Sequence, residues 1–241
     1  MPSTFIENVE WGGPRPCCVY LSAGLQDTGR EWPVLYLLHG IGGNETAWLA
    51  EGQIQAILDR LGTEGEGRIQ PLAVVMPFGF LQDLPRKQRS LPDWAAFNSY
   101  FLNGLARVER TLRIVTTRDR RAIAGLSMGG LQALEVALNN LDLFSVIGTF
   151  SAALNMRNVE QTCPTLNDPN QINNSLRFFY GAAGDSGREL LLFRRLSENF
   201  YNTLGARGIR VVFQPLQGDH NWDLWRQCLE DFMPRQGLPW T

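Results

Sequence analysis

Arg121-Ala122-Ile123-Ala124-Gly125-Leu126-Ser127-Met128-Gly129-Gly130 packs three structural instructions into ten residues. The apolar, β-compatible run Arg121 to Leu126 reads as a strand, Gly-x-Ser-x-Gly as a tight turn, and Met128 onward as a helix running to Asn140. A serine held on such a turn is pushed into a strained conformation that exposes its hydroxyl. The helix that follows aims unpaired N–H groups and the positive end of its dipole at the space beside it. Small residues on both sides of the serine are what let neighbouring backbone come close. The stretch therefore predicts a buried strand ending at a nucleophile, in a sheet whose strands alternate with helices.

The rest of the chain repeats that alternation. Strands are predicted over Cys17 to Ser22, Val34 to Leu38, Leu72 to Met76, Arg121 to Leu126, Ser145 to Phe150, Leu176 to Tyr180 and Ile209 to Gln214. Helical periodicity fills Glu51 to Leu61, Ala95 to Leu112, Met128 to Asn140, Glu189 to Leu204 and Trp222 to Phe232. The expectation is an α/β fold: a mostly parallel twisted sheet with helices on both faces and an antiparallel early strand. The turn-rich Ala23 to Gly29 suits a hairpin between the first two predicted strands. In the fourth helix Leu192, Leu196, Phe200 and Leu204 make an i, i+4 stripe, read as core. Pro77 to Asp93, with its basic Arg86-Lys87-Arg89, and Leu154 to Asn174 fit neither period and are expected to be long loops walling a pocket.

Composition narrows the function classes. The 241 residues are 44% hydrophobic and 19% charged, with 22 basic against 24 acidic side chains, an ordinary globular balance for one domain spanning 1–241. A net charge of −2 supplies no basic surplus for nucleic acid or an anionic membrane, so a small-molecule partner is expected. The first ten residues show no basic and apolar leader pattern, which sets the expectation of a cytoplasmic protein. Cys17, Cys18, Cys163 and Cys228 are read as reduced thiols, with Cys163–Cys228 as the one conceivable pair. No ligand spacing surrounds His39 or His220, so neither a metal nor an organic cofactor is expected. The oligomeric state is open, and a homodimer is compatible with the sequence.

Serine needs an adjacent base, and only two histidines exist. His220, in the loop Gly218-Asp219-His220-Asn221 after the last strand, fits the chain order nucleophile, acid, histidine. The acid should end another strand between the two. Asp185, after Gly181-Ala182-Ala183-Gly184, is the choice, Asp168 the rival, while Asp219 and Asp223 lie too close to His220 to orient its ring. The oxyanion-stabilising N–H groups should come from Met128 and, in His39-Gly40-Ile41-Gly42-Gly43, from Ile41. His39, Gly40 and Trp222 are candidate substrate contacts. His39 also has a purely structural reading, as the residue that fixes the glycine loop, and Trp222 and Trp225 are read chiefly as core.

Three stretches carry a resemblance: Tyr36-Leu37-Leu38-His39-Gly40-Ile41-Gly42-Gly43 with Trp48, the Ser127 turn, and Gly218-Asp219-His220-Asn221-Trp222-Asp223-Leu224-Trp225. Together they resemble the esterase-D-like family of the α/β-hydrolase superfamily, nearest its feruloyl and acetyl-xylan esterase-like branch. The likeness implies a Ser127, Asp185, His220 triad and an oxyanion hole at Ile41 and Met128. It implies a serine carboxylic-ester hydrolase working through an acyl-enzyme on a small or carbohydrate-linked acyl ester. An acyltransferase on the same frame and a non-catalytic binding protein are the alternatives. Ahead of the turn, Leu105 to Thr111 departs from the acidic, proline-containing stretch common in the family. Leu126 departs from the histidine that S-formylglutathione hydrolases place before the serine.

Overall fold

The computed structural model describes residues 2–12, 15–23, 25, 31–63, 69–80, 94–114 and 116–235. Eight strands form one sheet: β1 (Thr4–Gly12), β2 (Arg15–Leu21), β3 (Val34–Leu38), β4 (Ala73–Pro77), β5 (Arg121–Leu126), β6 (Val146–Phe150), β7 (Phe178–Gly184) and β8 (Val212–Leu216). Their spatial order is β1-β2-β4-β3-β5-β6-β7-β8. Only β2 runs against its neighbours, pairing antiparallel with β1 and β4. The expected antiparallel early strand is present. The hairpin partner of β2 is not β3, however, because β4 lies between them. It is β1, whose Thr-Phe-Ile-Glu-Asn-Val-Glu-Trp-Gly is interrupted by register shifts that blur its period-two pattern.

The sheet sorts side chains by alternation. Val34, Tyr36 and Leu38 of β3 point into one core layer with Ile123, while Leu35 and Leu37 point into the other with Ala122, Ala124 and Leu126. Helices α3 (Trp94–Thr111), α4 (Met128–Leu138) and α7 (Arg195–Ala206) close the first layer through Phe97, Phe101, Leu134, Phe200 and Leu204. Helices α2 (Ile54–Thr63) and α8 (Trp222–Arg235) close the second through Ile57, Leu58, Leu229 and Phe232. Both faces are covered, which is why the central strands read as unbroken apolar runs. Cys163 and Cys228 lie in opposite layers, and all four cysteines are free and buried.

One polar clamp ties α3 to the sheet. Glu109 of α3 accepts from Arg121 Nε at 2.7 Å and Nη2 at 2.9 Å, and from the Tyr36 hydroxyl at 2.7 Å. It falls within the stretch that departs from the family pattern. Burial and the Glu109 charge beside it push the Tyr36 phenol well above its ordinary value.

The expected loop 154–174 is instead helical: α5 (Met156–Thr162), a short 3₁₀ turn and α6 (Pro169–Ser175). Asn155 caps α5 by accepting from Asn158 N–H, and Asp168 caps α6 by accepting from Gln171 N–H. Asn-, Thr- and Pro-rich composition thus marked helix starts rather than a loop. Of the other expected loop, residues 81–93 lie outside the described residues, including the basic cluster. Another short helix, α1 (Ala47–Ala50), follows the glycine loop. No helix among the described residues is long and apolar enough to cross a membrane.

Candidate active site

The chain leaves β3, makes β4 on one side, then returns to make β5 on the other. The crevice at the carboxyl ends of β3 and β5, where the sheet order reverses, is where α/β folds bind ligands. Leu38 pairs with Gly125 there, so the glycine loop after β3 lies beside the serine turn after β5. Ser127 has φ 52° and ψ −117°, a strained left-handed conformation for a side chain of its kind. Its own N–H is satisfied by Phe150 O at 2.7 Å. The flanking glycines are steric necessities. A Cβ on Gly125 would overlap the Gly129 backbone, and one on Gly129 would sit 2.5 Å from His39 O and 2.7 Å from Leu38 O.

His220 reaches the serine from the loop after β8. Its Nε2 lies 3.1 Å from Ser127 Oγ, and its Nδ1 lies 2.6 Å from Glu189 Oε2. A carboxylate can only accept, so Nδ1 carries the proton and Nε2 is left to accept from the serine hydroxyl. The His220 side chain is 19% exposed, whereas that of Glu189 is fully buried. Glu189 Oε1 also accepts from Gly184 N–H at 3.2 Å. The imidazole is further held between rings: Phe193 stacks on it at 3.8 Å and 9°, and Trp225 meets it edge-on at 5.0 Å.

This corrects the expected acid. Asp185 does not meet His220; its exposed carboxylate accepts from Gly218 N–H at 3.1 Å and braces the loop that carries the histidine. Glu189, four residues on, opens a π-helical turn, Glu189–Arg194. The wider winding of that turn also explains the failed stripe: Leu192 and Leu196 are 51% and 37% exposed, while Phe200 and Leu204 are buried. Asp219 belongs to a third layer, its Oδ1 accepting from Glu189 N–H at 2.9 Å and His220 N–H at 2.7 Å. Those bonds, Glu189's first, hold its carboxyl below the usual range. Asp168 and Asp223 take no part; Asp223 pairs with Arg226 on the exposed side of α8.

Two cavities flank the nucleophile and share Ser127, Ile41 and Phe193. One, of about 590 Å³, adds Gly40, Arg188, His220, Trp222 and Trp225. The other, of about 500 Å³, adds Met128, Leu131, Glu135, Val159 and Thr162. Gly40 and Trp222 therefore line a cavity, and Trp222 and Trp225 also pack against the second core layer. His39 does not line either; it is 1% exposed. Its Nε2 accepts from Gly79 N–H at 2.8 Å and Nδ1 donates to Gly40 O at 2.8 Å, which pins the glycine loop. Met128 N–H, at the first position of α4, has no acceptor within the helix, and Ile41, half exposed, sits in the turn opposite. Among the described residues no cluster of three or more acidic, histidine or cysteine side chains is placed to hold a metal.

A protein-family model described as putative esterase matches residues 10–235. The chain belongs to that family. Over 220 residues it is 28% identical to an endo-1,4-beta-xylanase/feruloyl esterase of Xylanibacter ruminicola, covering 88% of this chain but 28% of that protein. An acetyl esterase of Caldicellulosiruptor saccharolyticus is 25% identical over 228 residues, covering 81% and 79%. Among solved structures, a ferulic acid esterase superposes with a TM-score of 0.81 at 22% identity over 98% of both chains. A CE1 ferulic acid esterase from Anaeromyces mucronatus gives 0.73 at 17% identity, over 97% of this chain and 89% of that one. At such identities these structures speak to the shared α/β-hydrolase fold.

Proposed function

We propose that this protein is a serine carboxylic-ester hydrolase whose triad is Ser127, His220 and Glu189. The observation that carries the reading is the unbroken chain from the strained Ser127 hydroxyl to His220 Nε2 at 3.1 Å and from Nδ1 to buried Glu189 at 2.6 Å. His220 takes the serine proton as Oγ attacks the ester carbonyl, and Glu189 stabilises the imidazolium that results. The carbonyl oxygen, now an oxyanion, is received by the N–H groups of Met128 and Ile41, each worth on the order of 3 kcal/mol in the transition state. His220 then gives its proton to the departing alkoxide. Water, deprotonated by the same nitrogen, releases the acid from Ser127.

Proton delivery assigns the two cavities. The leaving oxygen must face His220 Nε2, so the alcohol occupies the cavity lined by His220, Trp222 and Trp225, and the acyl group the one along α4. The names of the relatives, feruloyl esterase and acetyl esterase, support an acyl ester as the substrate. Hydrolysis of p-nitrophenyl acetate and methyl cinnamate by the wild type and by folded Ser127→Ala tests the reading. A fall of at least about 10³-fold supports it. A wild type inert towards every ester, or a Ser127→Ala variant of undiminished rate, overturns it.

A further inference from the structure

Ser127, Leu131 and Glu135 follow one another at i+4 spacing and so share one face of α4. All three line the acyl-side cavity, with Asn158, Val159 and Thr162 of α5 forming the facing wall. Leu131 and Val159 give the groove apolar lining, Asn155, Asn158 and Gln161 give it polar lining, and Glu135 stands at the far end, about two turns of α4 beyond Ser127. There Glu135, 5% exposed, accepts from the Thr162 hydroxyl and from Cys163 Sγ, the latter at 3.1 Å. The triad and the oxyanion loop use none of these groups. A carboxyl buried without a cation is costly to keep, and desolvation pushes its pKa up.

We propose that the Glu135–Thr162 pair is a specificity element that recognises a hydroxyl at the distal end of the acyl group. The reading rests on the ester-hydrolase assignment above and adds a length and a polarity to its substrate. Eight steps along α4 lead from its N-cap Ser127 to Glu135, roughly 12 Å of axial rise. Allowing for the ester link at one end and a hydrogen bond of roughly 2.8 Å at the other leaves roughly 8 Å between the acyl carbonyl carbon and the distal oxygen. A six-carbon chain ending in a hydroxyl, or a para-hydroxylated ring on a two-carbon linker, spans that distance. A para-hydroxylated benzoyl group is too short, and an acetyl group leaves the pair untouched. Glu135 has free acceptor capacity for such a donor, and the Thr162 oxygen, its proton already given to Glu135, can accept.

Matched ester pairs test this: p-nitrophenyl hexanoate against 6-hydroxyhexanoate, and methyl cinnamate against 4-hydroxycinnamate, with 4-hydroxybenzoate against benzoate as the short control. In the wild type the distal hydroxyl should raise kcat/KM about tenfold in the two long pairs, the scale of one recovered hydrogen bond, and within about twofold in the short pair. Thr162→Val, which keeps the shape of the side chain, and Glu135→Leu should each bring the long-pair ratios to within about twofold of unity. Ratios taken within one variant cancel any loss of folded protein. A wild type that hydrolyses these esters with ratios near unity, or ratios that survive both substitutions, overturns the assignment while leaving the hydrolase reading intact. A wild type inert towards all six esters overturns both.

Discussion

Replacing Glu189 by Gln removes one charge and little volume, and it separates two carboxylates that lie only four residues apart. Glu189 is fully buried and its Oε2 lies 2.6 Å from His220 Nδ1, which sets the centres of the delocalised carboxylate and imidazolium charges about 4 Å apart. At an effective dielectric of about 20 their attraction is about 4 kcal/mol, or about 10³-fold in rate. The amide adds a second fault. If its NH₂ faces Nδ1, the imidazole proton moves to Nε2, which can then no longer accept from Ser127. Steady-state hydrolysis of p-nitrophenyl acetate should therefore fall about 10³- to 10⁴-fold in kcat/KM for Glu189→Gln. Asp185→Asn keeps an acceptor for Gly218 N–H on an exposed side chain, so its loss should stay below about tenfold. Thermal melts establish that both variants are folded. If Asp185→Asn loses as much as Glu189→Gln, the placement of the acid at Glu189 is refuted.

Four further outcomes follow from the same geometry. Gly129→Ala drives a methyl against the carbonyl oxygens of His39 and Leu38, so kcat should drop about 10²-fold as the glycine loop proposed to receive the oxyanion is displaced; full activity in the ester assay would contradict the close approach. Phe193→Leu removes the ring stacked on His220, and about a tenfold loss in kcat/KM is expected from a less fixed imidazole, read by kinetics on a variant whose melting temperature is retained. Glu109→Ala leaves the largely buried Arg121 without its partner, at a cost of about 3–5 kcal/mol in urea unfolding; a change under about 1 kcal/mol would refute the clamp. The Glu135 carboxyl has its pKa raised above 4.5 by burial, so it favours the folded state at low pH and loses that contribution as pH rises through the folded value. The melting temperature of Glu135→Gln relative to wild type should accordingly improve between pH 4 and pH 8.

The sheet was legible wherever a strand is buried on both faces. Val34 to Leu38 and Arg121 to Leu126 read as apolar runs because helices cover both sides of them, and the structure returns the same bounds. The first strand was not legible: with β2 its only neighbour, Thr4–Gly12 mixes Glu7, Asn8 and Glu10 into its pattern. Asn8 has a positive φ of 56°, and the register slips around it. Residues 154–174 failed for a related reason. Asn155, Asp168, Pro164 and Pro169 are residues that loops favour, yet each stands where a short helix begins or a turn opens.

The site divides along the same physical line. Ser127 and its flanking glycines are legible because the close approach of β3 and its loop leaves no room for anything larger, so sterics writes itself into sequence. His220 is legible because, of the two histidines, it alone follows the last strand and fits the chain order nucleophile, acid, histidine; the structure adds that His39 is consumed by two backbone bonds. The acid is different. A strand end fixes where the backbone of Asp185 lies but not which carboxylate points inward. That is decided by the π-helical turn, which gives Glu189 to Nδ1 and Phe193 to the imidazole face while turning Leu191 and Leu192 outward. In Glu189 to Leu204 the stripe Leu192, Leu196, Phe200 and Leu204 has the period of a regular helix, but only its last two members are buried. A buried glutamate at the head of an apolar segment is costly unless something cationic meets it, and under the proposed mechanism the His220 imidazolium is that cation.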